Sequence, residues 1–201
     1  MKKKIITVSR QFGSGGRTIA KAVAEKLGFD YYDSELAERV AKETGFDPSY
    51  VADAGEYAPG KSIFSYAFSS NTPHASGGVN ASDYLWTTQC KIILELAEKG
   101  DCVIVGRCAD YILRERKDCL NVFIHADEDY RAKRIVENYG VRDKSPEKRL
   151  EEKDSRRRAN YKYFTGKEWG STVNYHIALD SGVLGEAKCV EIIADAVKSS
   201  D

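Results

Sequence analysis

Apolar positions along the chain alternate between short continuous runs and longer stripes at helical spacing. Lys4-Ile5-Ile6-Thr7-Val8-Ser9 reads as a buried strand, and Ile19-Ala20-Lys21-Ala22-Val23-Ala24-Glu25-Lys26-Leu27 as a helix stopped by Gly28. A short aromatic strand through Tyr31-Tyr32 ends in Asp33, and Ser34 can cap a helix beginning at Glu35. Ala81 to Lys99 carries Leu85, Gln89, Ile92, Ile93, Leu96 and Ala97 near one helical face. Cys102-Val103-Ile104-Val105-Gly106 and Cys119-Leu120-Asn121-Val122-Phe123-Ile124-His125 are strands apolar on both faces, which belong inside a parallel sheet. Helices are expected from Glu128 to Tyr139 and from Glu186 to Lys198, with a fifth strand over Tyr175-His176-Ile177-Ala178-Leu179. This alternation predicts an α/β fold with a five-stranded parallel sheet and right-handed crossovers.

Residues 45–83 break the rhythm with Pro48, Pro59, Pro73 and a polar Ser-Asn-Gly run. They read as an insertion of short helices and a loop over the strand ends. No repeat or linker divides the remaining chain, so 1–201 reads as one domain.

The first strand runs into Arg10-Gln11-Phe12-Gly13-Ser14-Gly15-Gly16-Arg17-Thr18 and then into a helix. Three glycines in four residues let backbone N–H groups curl around an anion, and the helix adds the positive end of its dipole there. A phosphate group suits such a cradle; a tight turn that binds nothing has the same letters. Residues 55–62, Gly-Glu-Tyr-Ala-Pro-Gly-Lys-Ser, satisfy the written Walker A pattern in full. They lack a buried strand leading in, carry a carboxylate at Glu56 and lose an N–H donor at Pro59. Context ranks the first stretch above them. Its letters depart from the pattern at two places: Arg10 stands where the pattern has glycine, and Gly16 where it has lysine.

Lys+Arg of 31 against Asp+Glu of 31 leaves no net charge, so there is no general electrostatic case for nucleic acid or an acidic membrane. No run approaches the length of an apolar membrane span, and the charged start meets Ser9-Arg10-Gln11 too soon for a leader, so a cytoplasmic protein is expected. Five cysteines with no C-x-x-C pair argue against a zinc site and a disulfide framework.

Candidate site residues follow from the strand ends and the basic stretch. Asp33 ends the second strand, where open parallel sheets place ligand contacts, and could equally be an N-cap. Arg107 ends the strand over 102–106 and is placed to meet an anion or a neighbouring carboxylate. Residues 145–170 begin as a capped helix and become densely basic. Arg157 and Arg158, with Arg131 and Arg134 from the helix before, can converge on a transferring phosphoryl group. A solvated helix with charge pairs and an RNA surface with Tyr161, Tyr163 and Phe164 interleaved are the other readings; a neutral chain with a phosphate loop favours the lid.

Taken together, the opening motif, Tyr31-Tyr32-Asp33, the strand ending Gly106-Arg107 and Lys153-Asp154-Ser155-Arg156-Arg157-Arg158 through Tyr163 resemble the cytidylate-kinase-like family of P-loop proteins. The resemblance covers nearly the whole chain. It implies a three-layer α/β/α fold with a central parallel sheet, a nucleotide-binding insertion and a closing lid. It further implies phosphoryl transfer from magnesium-bound ATP to a CMP-like nucleotide or related small acceptor. Carried over by position, Gly13, Ser14, Gly15 and Gly16 match the phosphate cradle, with Arg17 beside it, and Thr18 falls just beyond the usual magnesium-side hydroxyl. Asp154, Ser155 and Arg157 match the lid pattern, and Arg107 the acceptor-phosphate arginine. Arg17, Arg157 and Arg158 are the expected charge-neutralising groups, and Asp33, Arg107, Asp154 and Arg131 the expected acceptor contacts. A nucleotide-binding module that has lost catalysis is the alternative, and the absent lysine is what favours it.

Overall fold

A computed structural model describes residues 4–54 and 81–198. Residues 55–80, which hold most of the insertion and the Walker-like stretch at 55–62, lie outside these residues. Five strands, β1 (Ile5–Arg10), β2 (Asp30–Tyr32), β3 (Cys102–Val105), β4 (Cys119–His125) and β5 (Ile177–Asp180), form one parallel sheet in the order β2-β3-β1-β4-β5. The apolar runs form its centre because their side chains are covered on both faces: all six residues of β1 are buried.

One face is covered by α1 (Gly16–Leu27) and the C-terminal α9 (Glu186–Lys198), which pack Ile19, Val23, Ile193 and Val197 onto Ile6, Val8, Val103 and Val122. The other is covered by α2 (Ser34–Thr44), α3 (Pro48–Ala54), α4 (Ala81–Lys99) and the single turn α5 (Ala109–Ile112). Leu36, Val40, Val51, Ile92 and Ile93 meet Ile5 and Ile104 there. Each large aliphatic side chain fully buried in this way contributes on the order of 1.5–3 kcal/mol of transfer free energy. The result is the five-stranded parallel sheet that the hydrophobic pattern predicts, in the three-layer α/β/α arrangement that the family resemblance implies.

α6 (Glu128–Tyr139) follows β4, and α7 (Pro146–Thr165) lies against it through Ala132, Ile135 and Leu150, with Phe12 packed alongside. Ser145 caps α7 by accepting from Lys148 N–H, and Gly166 ends it at φ 70°, the left-handed conformation that favours glycine. A 3₁₀ turn, Thr172–Asn174, leads into β5, and α8 (Ser181–Leu184) links it to α9. Several boundaries differ from the sequence reading: β1 is shifted by one residue to Ile5–Arg10, α1 already starts at Gly16, and β3 ends at Val105. β5 starts two residues later, at Ile177, and α2 starts at Ser34, with Asp33 in the N-cap position. Asp33 makes no side-chain cap bond, so its carboxylate is directed elsewhere. Among the described residues no helix is long and apolar enough to cross a membrane.

The central strand β1 is flanked by β3, reached by the chain only after α4, and by β4. Strand order reverses here, which opens a crevice beyond the C-terminal ends of β1, β3 and β4. The glycine loop, Arg107 and α7 all meet at this crevice.

Candidate active site

The loop between β1 and α1 is built from close approaches. Gly13 and Gly15 adopt φ 83° and 77°, and a Cβ at Gly13 would lie 2.9 Å from Arg131 O and from Ile135 Cγ2. A Cβ at Gly15 would collide with Glu186 Oε1. Fully buried Ser14 donates its hydroxyl to Gln11 O (2.9 Å), and its own carbonyl accepts from Ser181 Oγ (2.6 Å). Gln11 N donates to Ile124 O, and Gln11 Oε1 accepts from Ala126 N. These bonds fasten the loop to the exits of β4 and β5. Gly15, the N-cap of α1, provides no side-chain cap, which leaves the positive end of the helix facing the loop. Gly16 has a different requirement: a Cβ there would run into Arg10 Cβ and stand 3.0 Å from Arg10 Cγ.

Arg10, Arg107 and Arg157 line one small cavity with Ser9, Asn160, Tyr161 and Trp169. Its volume, about 20 Å³, is that of roughly a single water site, so guanidinium groups from β1, from the exit of β3 and from α7 are gathered around a small, partly open space. Arg107 is buried and sits at φ 55°, between Gly106 at 71° and Cys108 at 54°. A non-glycine residue in this region costs on the order of 1–3 kcal/mol, strain that clusters at functional sites. Arg107 Nη1 donates to Gln89 Oε1 (3.1 Å), and Gln89 Nε2 donates back to Arg107 O (3.2 Å), so α4 fixes the residue at both ends. Arg157 Nη1 donates to Arg10 O (3.1 Å), closing α7 onto the end of β1. Below them Tyr161 donates to Asp110 Oδ2 (2.6 Å). Burial raises the Asp110 carboxyl above its usual range and also pushes the Tyr161 phenol up. The second oxygen of Asp110 and Oδ1 of Asn160 are buried without a hydrogen-bond partner.

The remaining expected residues separate into three settings. Asp154 is buried and accepts from Phe12 N (2.8 Å), Arg131 Nη1 (2.7 Å) and Arg157 Nη1 (3.4 Å). Arg131 also donates to Ala126 O and Phe12 O. The Asp154–Arg131 pair therefore braces the glycine loop from behind. Arg158 projects away from the cavity and bonds Glu151 and Ser155. Arg17 is exposed and pairs through Nε with Asp33 Oδ2 at 2.5 Å. Tyr31 also donates to that oxygen (3.3 Å), and burial together with the Asp33 charge pushes its phenol up to about 12. Thr18 Oγ1 accepts from Arg134 Nη2 (3.0 Å), and Arg134 is held by Glu186.

A second cavity, about 500 Å³, lies between the loop and the start of α7 and is lined by Phe12, Arg17, Tyr139, Arg142, Arg149 and Lys153, among others. Its size falls within the range of small-molecule sites. The aromatic–basic alternation of α7 does not make a stacking platform. Tyr161 is buried, Phe164 stacks on Trp86 of α4 at 4.3 Å, and only Tyr163 stands well exposed. Sequence reasoning left out Gln89 and Asp110 as site residues. For Gln89 a signal exists: it is the one amide in an otherwise apolar helical stripe.

Comparisons with known proteins identify the family and the fold. The cytidylate kinase-like family model matches residues 5–183. A cytidylate kinase of Methanopyrus kandleri is 21% identical over 96% of this chain and 92% of its own length, and one of Methanothrix thermoacetophila is 25% identical over 97% and 98%. Among solved structures, an uncharacterized protein from Eubacterium ventriosum superposes with a TM-score of 0.74 at 26% identity, covering 98% of this chain and 99% of that one. The shikimate kinase of Acinetobacter baumannii, in complex with shikimate, gives 0.55 at 15% identity, covering 99% and 95%, a likeness of fold. With the match running from the first residue of β1 to α8, the chain belongs to the cytidylate kinase-like family.

Proposed function

We propose that the protein is a kinase that transfers the γ-phosphoryl group of ATP to a CMP-like nucleoside monophosphate or a related small acceptor. The observation that carries the reading is the convergence of Arg10, Arg107 and Arg157 beside the glycine loop at the crevice of the sheet. Phosphoryl transfer needs little covalent help from the protein. It needs two anions brought into line and their charge neutralised as it shifts to the bridging oxygen of the leaving ADP. The loop amides and the α1 terminus suit the donor phosphates, and Arg107, strained and anchored by Gln89, suits the phosphate of the acceptor. Asp154 sets Arg157 in place and, as a positioning residue, holds the loop through Phe12 N.

Magnesium supplies further charge neutralisation when it enters with the nucleotide. The loop does not offer it a hydroxyl ligand of the usual kind: Arg17 occupies that position, and Thr18 Oγ1 is engaged by Arg134.

The deciding experiment is ADP release measured over a panel of nucleoside monophosphates and small hydroxylated or phosphorylated acceptors. Turnover with one acceptor class is expected, and loss of that turnover in Arg107→Ala. ATP binding without turnover for every acceptor would instead establish the second reading, a nucleotide-binding module without catalysis. Glycine at position 16 is what favours that reading.

A further inference from the structure

We propose that Arg10 is the phosphate-gripping cation of the loop, and that it and Gly16 form an exchanged pair: the charge that the written pattern carries on the helix side has moved to the end of the strand. The inference deepens the kinase reading and rests on it for the identity of the natural ligand.

In the written pattern, glycine precedes the loop and lysine follows the last glycine. This chain has the reverse, Arg10 and Gly16. The two positions face each other across the loop. A Cβ on Gly16 would overlap Arg10 Cβ, approach Arg10 Cγ to 3.0 Å and Ile124 Cβ to 3.3 Å. Gly16 has no positive φ to explain it, unlike Gly13 and Gly15, so the requirement is for space alone. One side chain fits between these backbones, and in this protein it is arginine on the strand.

That side chain is buried and lines the cavity shared with Arg107 and Arg157. Three guanidinium groups from separate elements thus meet beside the glycine loop, an arrangement suited to a polyanion. Arginine differs from lysine in offering a chain of phosphates a planar fork rather than a point charge. Arg157 already donates to the Arg10 carbonyl, so closing α7 brings a second fork to the same place.

The test uses tripolyphosphate as the probe, with binding measured calorimetrically and folding stability by urea titration, on Arg10→Gly, Arg10→Met, Gly16→Lys and the double variant Arg10→Gly/Gly16→Lys. Gly16→Lys alone should be destabilised, because its Cβ meets Arg10. Arg10→Gly and Arg10→Met should fold and lose about ten- to a hundredfold in affinity, the effect of one charge-assisted hydrogen bond. The double variant should recover both stability and affinity. Arg39→Met, which removes an exposed arginine paired with Glu35, controls for net charge and should leave binding unchanged. Wild-type affinity in both Arg10 variants, or equal stability costs for Gly16→Lys in the presence and absence of Arg10, would overturn the proposal. Wild-type protein that does not bind tripolyphosphate would overturn it as well. If binding depends on Arg10 but no acceptor is turned over, the kinase reading fails and the exchanged pair stands; if turnover occurs and binding ignores Arg10, the reverse holds.

Discussion

Asp154 accepts from the backbone N–H of Phe12 in the glycine loop, 142 residues earlier, from buried Arg131 of α6, and from half-buried Arg157 one turn along its own helix. Its charge balances Arg131 and Arg157 where water cannot. Replacement by alanine leaves the buried Arg131 and the half-buried Arg157 without their carboxylate, a change that typically costs about 3–5 kcal/mol for a buried pair. Urea unfolding of Asp154→Ala should show that loss, and Asp154→Asn, which keeps the shape and one acceptor, a smaller one. Asp110 poses the opposite problem. Burial holds its carboxyl above the ordinary value of 3.8, outweighing the hydrogen bond from Tyr161. Between that value and its raised folded value the native state binds the extra proton. The stability Asp110 contributes is therefore fully present below pH 3.8 and declines as pH rises toward the folded value. Asp110→Asn removes this dependence. Relative to wild type, the variant should gain stability steadily from pH 4 upward, and a difference in urea midpoints that stays flat or narrows with pH would contradict the assignment.

At the scale of elements, α4 shows what the hydrophobic pattern reveals and where it stops. The stripe Leu85, Ile92, Ile93, Leu96 and Ala97 identifies a helix against the sheet, and its bounds, Ala81–Lys99, coincide with those read from the sequence. Gln89 lies in that stripe with 1% of its surface exposed. Its purpose appears only when β3 brings Arg107 beneath it, because the pair is a contact across 18 residues whose geometry depends on three consecutive left-handed residues. No periodicity encodes such a conformation. The same limit applies to α7: its capped start at Ser145-Pro146 is legible, while its end at Gly166 and the division of its arginines between cavity and solvent emerge only in the fold, where it packs against α6. Gln89→Leu should preserve the helix and unsettle the site. It strands a guanidinium N–H and a carbonyl, at a cost of about 1–3 kcal/mol. Circular dichroism should remain native, urea stability should fall by that amount, and KM for the acceptor should rise more than kcat falls, since Arg107 is held by Gln89 rather than replaced.

Across the whole molecule, the order β2-β3-β1-β4-β5 makes β1 the meeting place of everything assigned to phosphate. The loop leaves its end, Arg107 arrives from β3 on one side, and α7 returns after β4 on the other. The sequence shows that these pieces exist and in which order, but the exclusion between positions 10 and 16 is a property of two backbones in contact and has no sequence signal beyond the missing letters. The cavity at their junction, about 20 Å³, is smaller than a phosphate group, so a ligand entering there displaces the side chains that line it, those of α7 and Trp169 among them. The chain's two tryptophans report on different parts of that movement. Trp169 lines the arginine cavity and meets Phe123 of β4 edge-on at 5.3 Å. Trp86 stacks on Phe164 at the far end of α7, on α4. An anion entering between the arginines therefore changes the surroundings of Trp169 first. Titration with tripolyphosphate should alter the intrinsic fluorescence of wild type and of Trp86→Phe to a similar degree, and leave Trp169→Phe nearly silent. A response that vanishes with Trp86 instead would place the moving part at the α4–α7 contact, and the whole of α7 would have to swing as one body to admit the ligand.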